Sequence, residues 1–184
     1  MRTLIATLLL LLSACGTRFD LDAPISIVVE PLGATFSDGT PWLEAEWAAH
    51  DAALAALRQL WVPVAGVRGE SRDIPGSAQT ITIARMSEGD CKAHAEGGPL
   101  LGYNFGGESK VYLCAPAFWS LRLIKQVVRH EIGHVLGAGH TPCAMGGIMP
   151  PQTGCNRTDA ESYTFPDLRE ICESGRVMGG ICGR

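Results

Sequence analysis

The 184-residue sequence reads as an α+β chain, and three observations carry that reading. Short apolar runs bounded by Gly, Pro and Ser recur along the first two thirds, as strands do. An alanine-rich stretch from Trp42 to Leu60 interrupts them with helical spacing. A second long run, free of glycine until Gly133, begins near Pro116 and leads into a tail rich in turn residues and cysteine.

Ile25 to Glu30 (Ile-Ser-Ile-Val-Val-Glu) is the first expected strand, and Phe36 to Thr40 a turn. In the helix from Trp42 to Leu60, Leu43, Trp47, Leu54, Leu57 and Trp61 are the core candidates, and His50 is a surface or partly packed residue. Val62 to Val67 and Gln79 to Arg85 are expected strands separated by a Gly/Ser/Pro loop. Cys91 to Pro99 reads as a loop with His94 exposed. Leu100 to Phe105 and Lys110 to Cys114 are further strands around a Gly106-Gly107 turn. The helix expected at about 116–137 has a proline suited to its first turn. Along it, Leu123, Val127, His130 and His134 share one face, while Leu121, Ile124, Val128, Ile132 and Val135 form a second, apolar one. Burial on most sides follows, with Gly133 read as tolerated inside the helix in preference to the alternative, a close backbone approach. Asp167 to Glu173 falls in a last helix.

The chemistry is concentrated in residues 130 to 140, His-Glu-Ile-Gly-His-Val-Leu-Gly-Ala-Gly-His. Four residues apart on a helix, His130 and His134 offer two imidazoles to one metal. Glu131 lies beside that pair, within reach of water at the metal. Gly137 can end the helix in a left-handed turn, which returns the chain and makes His140 the third ligand. Three neutral imidazoles leave the fourth tetrahedral position open, the arrangement of a catalytic zinc site and not a structural one. Five fixed residues at this spacing arise by chance on the order of 10⁻⁸ times per position, so three incidental surface histidines are the weaker reading.

The pattern H-E-x-x-H-x-x-G-x-x-H resembles the zinc signature of the metzincin metallopeptidases. Gly-Gly-Ile-Met-Pro-Pro, residues 146 to 151, resembles that clan's methionine turn, at about 145–151. Met149 is the candidate methionine and Met145 its rival; the resemblance implies packing support beneath the imidazoles, a thioether being a poor zinc ligand. Order and motif together imply a twisted mixed sheet, a backing helix, the zinc-site helix and a small C-terminal subdomain over residues 25–184. Thr141 after the third histidine brings the chain nearest to matrixin-like members. Only His50 and His94 remain for a second zinc, so one catalytic Zn²⁺ is expected. The resemblance further implies that an extended peptide adds to a sheet edge at Leu100, Leu101 and Tyr103, and that Pro150 and Pro151 help to wall the pocket beyond the cleaved bond.

Residues 1–14 read as a lipoprotein signal peptide: Met1-Arg2-Thr3, then an apolar run from Leu4 to Leu12 too short to span a bilayer. Leu12-Ser13-Ala14-Cys15 resembles a bacterial lipobox, which implies lipidation of Cys15, an outer-membrane destination and a lipidated tether over residues 15–24. Six cysteines remain, Cys91, Cys114, Cys143, Cys155, Cys172 and Cys182; in an exported chain they read as up to three disulfides among fifteen pairings. Near neighbours are the expected partners: Cys91 with Cys114, Cys143 with Cys155, Cys172 with Cys182. Loss of Arg2 with the leader makes the chain one unit more negative than its formal −4, which suits solubility and shows no basic patch for nucleic acid; a monomer is expected. Nothing in the sequence speaks for or against calcium.

The expected activity is therefore hydrolysis of protein or peptide substrates at the cell envelope, with Glu131 as general base. A catalytically silent zinc-containing binding lipoprotein and a peptidoglycan-peptide amidase are the competing readings. The retained Glu131 argues against the first and the long third-histidine motif against the second.

Overall fold

Alternation along three parallel strands decides which side of the protein becomes its core. The computed structural model describes residues 18–33, 42–62, 64–65, 79–95, 100–106, 108–151 and 162–183. In chain order the elements are β1 (Phe19–Asp20), β2 (Ile25–Val29), α1 (Trp42–Gln59), β3 (Val64–Ala65), β4 (Gln79–Arg85), α2 (Glu88–His94), β5 (Gly102–Tyr103), β6 (Lys110–Leu113), α3 (Leu121–Val135), α4 (Phe165–Glu173) and β7 (Val177–Met178). Among the described residues the architecture is α+β: four helices with a mixed five-stranded sheet ordered β3-β2-β4-β6-β5, parallel throughout except for the antiparallel edge strand β5.

Side chains alternate across a strand, so the register places Ile27 beside Ile81 and Ile83 beside Val111 on one face. These residues, with Ile25 and Leu113, are buried. The other face carries Thr80, Thr82, Lys110 and Tyr112, all half-buried, which is why Gln79 to Arg85 alternates threonine with isoleucine. Both long helices pack on the sheet and against each other.

Helix α1 buries a different face from the one expected. Leu43, Trp47 and Trp61 are exposed, at 57%, 44% and 65%, and Leu54 is only partly buried. The buried stripe is Ala45, Ala48, Ala49, Ala52, Ala53 and Ala56, ending in Leu57 and Leu60. Methyl side chains let α1 approach α3 and the sheet closely, and close contact with many neighbours replaces the area a few large side chains would bury. Tryptophans on such a stripe would hold the helix off.

Three further expectations change. The segment expected as a loop from Cys91 contains most of α2, started by Ser87, whose side chain accepts from the Asp90 amide at 3.1 Å. The long helix begins at Leu121, because Ser120 is extended and its hydroxyl accepts from the Leu123 amide at 3.1 Å; Ala115–Trp119 forms a separate 3₁₀ turn. Part of the expected tether belongs to the folded body. β1 pairs in parallel with β7, and Phe19 and Leu21 are fully buried. The expected turn at 36–40, and Cys15 and Cys155, lie outside the described residues.

Disulfides join Cys91 to Cys114 and Cys172 to Cys182. Cys143 is also disulfide-bonded. The first holds α2 to the end of β6, and the second closes α4 onto the C-terminal turn.

Tyr163 ties the two long helices together. Its amide donates to Gln59 Oε1 at 3.0 Å and its hydroxyl to the Arg129 carbonyl at 2.6 Å. Burial, reinforced by the Asp167 carboxylate, pushes the phenol well above its ordinary value of 10.0. The folded protein thus holds this proton more tightly than the unfolded chain does. The associated stability is complete below pH 10.0 and is lost as pH rises beyond it. Unfolding free energy is expected to fall by about 1.4 kcal/mol per pH unit there through this one proton, and Tyr163→Phe to flatten that part of a denaturation series between pH 9 and 11.

Candidate metal centre

The end of α3 folds as the spacing predicts. Gly137 takes φ +98°, its amide donates to the His134 carbonyl at 2.9 Å, and the Ala138 amide donates to the Gly133 carbonyl at 2.9 Å. That pair of bonds is a Schellman ending, and it requires a residue at ease with positive φ. A side chain there would also run into Ser174 and the Arg176 stem. The reversal carries His140 back over the helix.

The three imidazoles converge. Nε2 of His134 lies 3.1 Å from Nε2 of both His130 and His140, and the third separation is 3.3 Å. The outer nitrogens are fixed by main chain: His130 Nδ1 donates to the Ile148 carbonyl and His134 Nδ1 to the Ala138 carbonyl, each at 2.8 Å. A carbonyl oxygen only accepts, so the proton sits on Nδ1 and the neutral ring turns its Nε2 lone pair inward. Lone pairs aimed at one point repel unless a cation lies between them. Tetrahedral nitrogen ligands at about 2.0–2.1 Å from a metal stand about 3.3 Å apart, and these separations agree. The donor set fits a divalent ion, and this is the one such cluster among the described residues. His50 and His94 take no part in it.

Glu131 is 2% exposed. It is not in the ligand cluster, yet it lines the same cleft as all three histidines. Gly102 on the edge strand backs directly onto its side chain. The cleft has a volume of about 680 Å³. Of the residues expected to bind substrate, Leu100, Tyr103 and Pro151 line it. Leu101 does not; it packs against the main core. Pro150 is buried and lies outside the lining. His94, expected to be exposed, is half-buried and stacks on Tyr103 with ring centroids 4.8 Å apart. Both rings line the cleft.

Met149 is fully buried, and its thioether occupies the space a Cβ on Gly133 would need. Gly133 is therefore required by a close approach and not merely tolerated. Gly133→Ala is expected to lower stability by about 1–3 kcal/mol through overpacking, although alanine is the better helix former by about 1 kcal/mol. In a Met149→Ala background, chemical denaturation should show a smaller loss on Gly133→Ala than in the wild type, since the clash is gone. The side chain of the rival, Met145, lies outside the described set.

Sequence reasoning placed Asp167 in the last helix without a role. Its buried carboxylate accepts from Thr141 Oγ1 at 3.0 Å, the Ile148 amide at 3.3 Å, and the Thr164 amide and hydroxyl at 2.8 and 3.0 Å. It thereby joins the residue after His140, the peptide that orients His130 and the start of α4. The visible signal was Thr164-Phe165-Pro166-Asp167, a capping-box pattern with aspartate at the fourth place.

In comparisons with family models and with curated protein sequences, nothing matches the chain.

Proposed function

We propose that the protein is a zinc-dependent endopeptidase of metzincin type, with His130, His134 and His140 holding the ion and Glu131 acting as general base. One observation carries the reading: three Nε2 atoms within 3.1–3.3 Å of one another share a cleft with a buried carboxylate that is not a ligand. The mixed sheet with its antiparallel edge strand, the backing helix α1 and the site helix α3 agree with the resemblance carried by the motif. When bound, zinc supplies Lewis acidity, acidifying water and polarising a carbonyl.

The chain's own residues do the rest. Ile148 and Ala138 hold two imidazoles in the tautomer that presents Nε2. Glu131 takes a proton from the attacking water on its carboxylate and returns it to the departing amine. The edge of β5 that pairs with no described strand accepts an extended peptide, with Leu100, Tyr103 and Pro151 in the lining of the cleft.

Export and lipidation at Cys15 belong to the same reading, supported by Leu12-Ser13-Ala14-Cys15 and by disulfides of the kind an oxidising compartment permits. Among the described residues, no helix is long and apolar enough to cross a membrane. Since β1 begins at Phe19, the chain between anchor and fold spans at most about 14 Å, which holds the catalytic body against the bilayer.

The test is metal removal. A chelator should abolish cleavage of a quenched-peptide library, and one equivalent of zinc should restore it. Cleavage that persists in metal-free protein contradicts the proposal.

A further inference from the structure

We propose, resting on the peptidase reading above, that Arg176 recognises a carboxylate of the bound peptide, either an acidic side chain or the terminal carboxylate. Arg176 lines the cleft that holds the three histidines and Glu131. Among the described lining residues it is the sole guanidinium or ammonium, and Glu131 is the sole carboxylate. The chain as a whole is acidic, with 19 Asp and Glu against 15 Lys and Arg, yet this wall is kept clear of acids other than the one the chemistry uses. A divalent ion at the histidines makes the cleft more positive still.

The guanidinium is held in place but little used. The Arg176 amide donates to Ser174 Oγ at 3.1 Å, its carbonyl accepts from the Phe19 amide at 2.8 Å, and its stem runs along Gly137. Of its five donors, Nη1 alone makes a hydrogen bond, to the His134 carbonyl at 3.3 Å. No carboxylate pairs with it among the described residues, whereas Arg169 and Lys110 each have one. A fork of donors anchored at one end and open to a cleft suits a carboxylate bound through two parallel hydrogen bonds. Its bond to His134 also satisfies the end of α3, so a test must separate recognition from support.

The experiment uses the full chain in detergent, loaded with zinc, and pairs of quenched peptides that differ only as Glu against Gln at successive positions around the bond. A further pair has a free or an amidated C-terminus, which distinguishes the two sources of carboxylate. The wild type is expected to favour the carboxylate in one pair by about 10-fold in kcat/KM, mostly through KM. Arg176→Gln should bring that ratio to about one, and Arg176→Lys should keep part of it. A purely supporting role would slow both members of a pair alike and leave the ratio intact, which would overturn the proposal, as would a wild type indifferent to every pair. Binding of the same pairs by fluorescence anisotropy to Glu131→Gln protein, with and without Arg176→Gln, reads the same preference without turnover. If nothing is cleaved, the peptidase reading fails by itself. Carboxylate-selective binding that is lost with Arg176 would still support this assignment, and equal affinities would overturn it.

Discussion

Replacing Glu131 with alanine is expected to slow peptide cleavage by about 10²–10⁴-fold while the zinc content stays near one ion per chain. The side chain stands next to His130 in sequence but outside the group of converging ligand atoms, and it lines the same cleft. Gly102 lies against its side chain, as the atoms a Cβ there would meet show. Removing it takes away proton transfer and leaves the three nitrogens in place. Metal analysis alongside kcat/KM checks both halves. A variant that loses zinc together with activity would make Glu131 a ligand, and one that keeps full activity would remove it from the chemistry.

Asp167→Ala should produce the largest structural effect, a loss of about 3–5 kcal/mol, because the buried Ile148 amide, the half-buried Thr164 amide and two hydroxyls lose their acceptor together. For a domain of this size that lowers Tm by about 10 °C. The loss should reach the metal as well. Ile148 receives Asp167 on its amide and His130 on its carbonyl, and Thr141 follows His140 in the chain. Loosening both is expected to weaken zinc binding by about 10–100-fold, the usual consequence of losing a group that orients a ligand. Calorimetry with and without zinc, together with competition against a chelator, measures the two effects separately. A thermal loss with unchanged zinc affinity would confine Asp167 to the fold.

What could be read from the sequence was local. His130, His134, Gly137 and His140 sit within a helix and its ending, where 3.6-residue spacing and the need for positive φ at Gly137 decide geometry without help from distant residues. The alternation in Gln79 to Arg85 was legible for the same reason. What escaped depends on partners far along the chain. The alanine stripe of α1 makes sense only against α3, which begins more than sixty residues later. Helix α2 is too short to announce itself by periodicity; Ser87 and the bond from Cys91 to Cys114 hold it. Phe19 and Leu21 looked like a tether because their partner strand is β7, at the other end of the chain. Gly133 gave no sign of Met149, and Asp167 none of Thr141, 26 residues away.

The central claim is one zinc ion held by three imidazoles with an open position. X-ray absorption at the zinc edge of the purified, zinc-loaded protein tests it most directly. The account predicts three nitrogen neighbours from imidazole and one oxygen, all at about 2.0–2.1 Å, with the imidazole signal reduced in His140→Ala. Sulfur neighbours at about 2.3 Å, or a spectrum unchanged by His140→Ala, would place the metal elsewhere and contradict it.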